Sequence, residues 1–210
     1  MFKFLFLILL IPQLLYAQKL SYIIKGNFDK EQENKFVYLY TQKVDDKPEE
    51  LLVLPIIDNQ FLIKGDIDRK GRSFSSGIIF LGKNDKISLK DFDDMKMDSE
   101  FYINEKILFI LEDSLHIDFK SPLNQSIVHG GKLNAENVIL QKELREGSYL
   151  TFINNHLDSL FSILCLKAID YVAKYSNKLY DIDIVALFNG LSDRVKQSFE
   201  GKEFAKKYIK

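Results

Sequence analysis

Between Leu20 and about Val128 the apolar residues come in short runs, several of them alternating at every second position, with clusters of Gly, Asn and Asp between the runs. A period of two puts successive side chains on opposite faces of a strand, so this stretch is confined to antiparallel β structure around a shared core. Leu20, Tyr22 and Ile24 alternate with Ser21 and Lys25 in the first run. Further strands are expected at 35–40, 51–57, 60–64, 77–81, 86–89, 107–111, 115–119 and 126–128. Pro55 cannot donate to a ladder and marks its strand as an edge or a bulge. Asp58-Asn59 both tolerate positive φ, and they predict a tight hairpin between the runs on either side. About eight or nine strands at this spacing specify an antiparallel β-sandwich or an open barrel.

Near Leu133 the period changes to that of helices. A helix is expected over 135–146, stopped at Gly147, and a short one over 148–155 with Tyr149, Phe152 and Ile153 on one side. Asp158 and Ser159 offer oxygens to the free amides of a longer helix, 160–175. Asp183 is placed to cap a helix over 184–191, and 192–209 reads as a last helix kinked or divided at Gly201. The fold class is therefore α+β: a β domain over 18–130 and a helical tail over 131–210.

The remaining residues, 1–17, read as a secretory leader. Lys3 supplies the basic head, Phe4 to Ile11 an unbroken apolar run, and Leu15-Tyr16-Ala17 a small residue at the cut, so the mature chain is expected to start at Gln18. As a helix, Phe2 to Leu15 spans only about 20 Å against a hydrocarbon core of roughly 30 Å, which favours a cleaved leader over a stable membrane span. No cysteine lies beside the segment to carry a lipid, so the expected product is periplasmic or envelope-associated and not a lipoprotein. Without residues 1–17 the chain has 28 Lys+Arg against 30 Asp+Glu, a net charge of −2. Such a balance offers no basic field for nucleic acid or an anionic membrane. The 193 residues left can bury roughly 70% of their unfolded surface, enough for a core without staples. Cys165 is the sole cysteine, so no intrachain disulfide exists.

Several landmarks then fall in a familiar order. Ile24-Lys25-Gly26, Phe36-Val37-Tyr38-Leu39 and Asp58-Asn59-Gln60-Phe61-Leu62-Ile63-Lys64-Gly65 are followed by Phe109-Ile110-Leu111-Glu112, Leu115 to Phe119, and Val128-His129-Gly130-Gly131-Lys132-Leu133-Asn134. Asn155-His156-Leu157-Asp158-Ser159, Leu187-Phe188-Asn189-Gly190-Leu191-Ser192, Val195-Lys196-Gln197-Ser198 and Gly201-Lys202 continue the series. In this order they resemble the uncharacterised N-terminal β domain, a domain of unknown function, and following helical segment of exported bacterial thiol-disulfide oxidoreductases of the thioredoxin and peroxiredoxin type. Gly131 stands where that family commonly has serine. The family's thioredoxin-like domain with its Cys-x-x-Cys pair has no counterpart in these 210 residues. The resemblance thus implies an accessory module, or an oxidoreductase without its catalytic domain.

Candidate chemistry is sparse. Redox exchange needs a resolving thiol beside a nucleophilic one, whereas Cys165 is single and shares a helical face with Phe161, Leu164, Ala168, Ile169 and Val172, as a small core residue would. His116, His129 and His156 show no ligand spacing and read as surface or hydrogen-bonding histidines, with His116 turned to the side opposite Leu115 and Ile117. Carboxylates cluster at Asp66 and Asp68 and along Asp91, Asp93, Asp94 and Asp98; the second group lacks the turn glycine and distal glutamate of a calcium loop, so a solvated acidic loop is expected there. Glu112 and Asp113 sit at a strand end, and a paired-carboxylate hydrolase ranks last because no separation between them follows from sequence. Asn124-Gln125-Ser126 is a glycosylation triplet with little meaning in a bacterium. Ile163 and Leu166 make the 160–175 helix apolar around most of its girth, so it is either enclosed by its neighbours, the expectation, or supplies an interface. No catalytic residue, metal ligand or cofactor site is therefore assigned. The expectation is a non-catalytic exported module for an envelope or periplasmic partner such as a thioredoxin-like protein. The alternative is a small-ligand or glycan-binding β domain using Tyr38, Tyr40 or Phe74.

Overall fold

The computed structural model describes residues 19–41, 50–96, 98, 104–146, 148–175 and 182–209. The leader over 1–17, Gln18 and the helix stop expected at Gly147 lie outside the described residues. The chain divides into two compact units, Met1–Lys70 with Phe74–Asn134, and Gly71–Ser73 with Ala135–Lys210.

The first unit is a pair of four-stranded sheets. Its strands are β1 (Lys19–Phe28), β2 (Phe36–Thr41), β3 (Glu50–Pro55), β4 (Gln60–Asp68), β5 (Ser76–Gly82), β6 (Ile107–Ile110), β7 (Ser114–Phe119) and β8 (Ile127–His129). One sheet runs β4-β1-β7-β8 and the other β3-β2-β5-β6, so the sheets do not close into a barrel and the arrangement is sandwich-like. The alternation of β1 is strict: Leu20, Tyr22, Ile24 and Phe28 point inward while Lys19, Ser21, Ile23, Lys25 and Asn27 face out. Inward residues of both sheets, among them Ile24, Leu39, Ile63, Ile79, Phe109 and Ile117, form one core. All neighbouring strands are antiparallel except β1 and β7, which pair in parallel from Ile23↔Ser114 to Phe28↔Phe119.

The Asp58-Asn59 hairpin forms as expected, with φ of 49° and 58° and reciprocal 2.9 Å bonds between Ile57 and Gln60. Pro55 closes β3, an edge strand. The strand expected over 86–89 does not form. Instead Ser88 and Asp91 cap a helix, α1 (Leu89–Lys96), because the Asp91 carboxylate accepts from the Ser88 amide at 2.9 Å while the Ser88 hydroxyl accepts from the Asp91 amide at 3.1 Å. This exchange satisfies helical amides that a strand would have sent to a ladder.

Helix α2 (Lys132–Glu146) leads into the second unit, which holds α3 (Tyr149–Asn155), α4 (Phe161–Tyr175), α5 (Ile184–Gly190), α6 (Asp193–Lys196) and α7 (Phe199–Tyr208). Ile163 and Leu166 are fully buried, so α4 is enclosed over 161–166, and from Lys167 onward one side faces solvent. Asp183 caps α5 as expected, accepting from Val185 and Ala186 at 3.0 and 2.9 Å. Ser159 accepts from the Phe161 amide at the start of α4, and the Asp158 carboxylate receives Ser192 at 2.6 Å and Arg194 at 3.0 Å. The last helical stretch divides at Gln197-Ser198, ahead of Gly201. Ser198 starts a new helix by accepting from the Gly201 amide, and a Cβ on Gly201 would stand 2.3 Å from the Val195 carbonyl. Among the described residues no helix is long and apolar enough to cross a membrane.

Candidate functional site

The two sheets differ in what covers their outer faces. On β3-β2-β5-β6 the outward side chains Tyr38, Tyr40 and Phe80 lie beneath Phe92 of α1. Tyr38 stacks on Phe80 at 4.8 Å and Phe80 on Phe92 at 5.0 Å, while Tyr40 meets Phe92 at 4.6 Å. The Tyr38 hydroxyl donates to the Asn84 carbonyl, and burial, with Asp85 nearby, pushes its ionisation upward. Tyr38 and Tyr40 are thus core residues, which corrects the expectation that they offer a glycan platform; Phe74 is half-buried. The unbroken apolar run Phe36 to Tyr40 carried that signal, because a strand covered on both faces does not alternate.

The outer face of β4-β1-β7-β8 is open. Register sets Leu62, Lys25, His116 and His129 in one row across four strands, and Gln60, Asn27, Asp118 and Ile127 in the next. His116 Nε2 lies 3.0 Å from one oxygen of Asp118, and His129 Nε2 2.8 Å from the other. An ionised carboxylate only accepts, so both imidazoles present N–H to it. The His129 bond, with His116 adding to it against partial desolvation, holds the Asp118 carboxyl below its ordinary 3.8. The Asn27 amide stands 3.3 Å from His116 Nε2. Two histidines that sequence treated as separate are brought together with Asp118 by the β7–β8 pairing. Among the described residues, no group of three or more His, Cys, Asp and Glu is arranged to hold a metal ion.

At the β4 end of this face lies a groove of about 630 Å³. One wall is apolar, built from Leu54, Pro55, Ile57 and Leu62. Lys25, Asn27, Gln60 and His116 supply its polar side. Ile57 is 64% exposed and Leu62 45%, well above the near-zero exposure of the core. Sequence reasoning missed Lys25, Asn27, Ile57 and Leu62 as a group, since only the non-local β1–β4 and β1–β7 pairings gather them.

The other candidates resolve into structural roles. Glu112 accepts from the amides of Leu133 and Asn134 at 3.0 and 2.9 Å, capping α2, so it is not half of a carboxylate pair. Asp113 bonds β1 through its carbonyl, which receives the Ile23 amide at 3.0 Å. Asp66 binds Ser21 at 2.5 Å and Lys19 at 3.3 Å, and the Ser21 bond, then Lys19, lowers its ionisation. Asp68 receives the Lys70 amide. Asp91 is spent on the α1 cap, with Asp93 and Asp94 exposed on that helix and Asp98 just after it. Asn124 donates to Asn104 at 3.1 Å. In the second unit, His156 ends α3 stacked on Phe152 at 4.5 Å, with Nε2 2.8 Å from Glu143. Cys165 is buried, and burial, with Glu143 adding to it, pushes its thiol up to about 12.

Compared with protein-family models, curated proteins and solved structures, the chain matches none.

Proposed function

We propose that this chain is a non-catalytic exported module that binds an envelope or periplasmic protein through the open face of its β4-β1-β7-β8 sheet, with a thioredoxin-like protein as the first candidate. One observation carries the reading: of two sheets in the same sandwich, one has the centre of its outer face, Tyr38, Tyr40 and Phe80, covered by α1 with Leu108 exposed at the β6 edge, and the other leaves Ile23, Leu62 and Ile127 at 36%, 45% and 48% exposure around an ordered polar row with no helix over it among the described residues. Apolar side chains set among fixed polar groups suit a protein-binding patch. The leader over 1–17 supports export, and the sequence landmarks support an accessory role beside a redox protein. The buried, high-pKa Cys165 leaves the folded chain no accessible thiolate of its own.

The test is co-purification from periplasm with thiol trapping, using the tagged chain and an Ile127→Asp, Ile23→Asp variant. Recovery of a redox protein by the parent chain and its loss with the variant supports the reading. Recovery of none, or equal recovery by both, overturns it.

A further inference from the structure

We propose that the groove beside Leu62 is a binding site for the apolar C-terminal residue of an extended polypeptide, whose free carboxylate pairs with Lys25. This rests on the reading of the open sheet face as a binding surface and names what one part of it recognises.

Three features of the groove point to that chemistry. The wall of Leu54, Pro55, Ile57 and Leu62 presents apolar surface that the fold itself does not cover, as the exposure of Ile57 and Leu62 shows. Next to it Asn27 and Gln60 oppose each other across β1 and β4, so two carboxamides, each donor and acceptor, stand where a peptide group would pass. Lys25 lies directly across from Leu62 in the same register and makes no salt bridge among the described residues. Among the described residues the acids on this face are already engaged: Asp118 by His116 and His129, Asp66 by Ser21 and Lys19, and Asp68 by the Lys70 amide. Lys25 is therefore the uncompensated charge of the groove, and its complement is an anion held within a lysine's reach of an apolar group. A terminal residue such as leucine has both parts on one carbon. Capture of a C-terminal carboxylate is an established mode of peptide recognition, and here a lysine rather than a backbone nest would supply the charge. The volume, about 630 Å³, lies in the range that holds small ligands.

The experiment titrates acetyl-Ala-Ala-Leu free acid, its C-terminal amide, and octanoate into the 15N-labelled chain. The free acid is expected to shift the amide signals of Lys25, Asn27 and Leu62, and to bind about tenfold more tightly than the amide, the size of one charge-assisted contact. Lys25→Met, an exposed change that leaves the fold intact, should bring that ratio close to one, and Leu62→Asp should weaken both peptides. No shift with either peptide, equal binding of acid and amide, an unchanged ratio in Lys25→Met, or binding of octanoate alone would each overturn the proposal. If Lys25→Met leaves co-purification of a partner intact while Ile127→Asp removes it, the sheet-face reading stands and the terminus site falls.

Discussion

The side-chain amide of Asn134 pairs with the main chain of Ile110 as a neighbouring strand would: its Oδ1 accepts from the Ile110 amide at 2.9 Å and its Nδ2 donates to the Ile110 carbonyl at 2.7 Å. Asn134 is 96% buried, so neither main-chain group of Ile110 has water to fall back on. Nδ2 also donates to Glu112 at 2.8 Å, which ties the β6 edge to the cap of α2.

Replacing Asn134 by alanine leaves two buried backbone groups unpaired. Each costs about 1–3 kcal/mol, so a total loss of about 2–6 kcal/mol is expected from urea unfolding. Asn134→Asp should be worse than alanine at neutral pH, because it places a second carboxylate against Glu112.

Gly131 has φ of +78°, and a Cβ there would stand 2.0 Å from the Glu112 carboxylate. Serine at this position is therefore a change of backbone and cap as well as the gain of a hydroxyl. Gly131→Ser should destabilise the chain by about 1–3 kcal/mol in thermal or urea unfolding.

Phe92 is the one aromatic that α1 contributes to the Tyr38–Phe80 stack. Phe92→Ala removes that cover and should cost about 3–5 kcal/mol. Near-ultraviolet circular dichroism should lose tyrosine signal, since Tyr38 and Tyr40 gain freedom together.

The Cys165 thiol, pushed to about 12, carries a thiolate fraction of about 10⁻⁴ at pH 8 and lies out of contact with solvent. Alkylation by iodoacetamide at that pH should follow the rate of unfolding and become fast only in denaturant. Labelling of the native chain within minutes would contradict the packing described for α4.

Asp118 has its carboxyl depressed in the fold by His129 and His116, so its contribution to stability is present above its unfolded value of 3.8 and is lost as pH falls through the lower folded value. Its side chain is 42% exposed, which keeps the contribution under about 1 kcal/mol. An Asp118→Asn variant should show a shallower loss of stability below about pH 4 than the parent chain.

Local chemistry was legible where a few consecutive residues decide the outcome. Asp58-Asn59 fixed a hairpin, Asp183 and Ser159 fixed helix starts, and the alternation of Leu20 to Gly26 fixed which side of β1 faces the core. Ser88-x-x-Asp91 was equally local, a cap spelled out in sequence, yet 86–89 read as a strand. The groove was not legible, because Lys25, Leu62 and His116 lie on three strands far apart in the chain.

Sequence by itself determined the order of elements other than α1, the inward and outward sides of β1 and β7, and the burial of the only cysteine, since each follows from periodicity or from a side chain acting on its own neighbours. Tertiary structure alone decided that β1 and β7 run parallel, that α1 seals Tyr38 and Tyr40, and that His116 and His129 share Asp118. The physical reason is that alternation assigns a residue to a face but not a strand to a neighbour. Pairing between strands is chosen by packing over the whole core, and the site is made of those pairings.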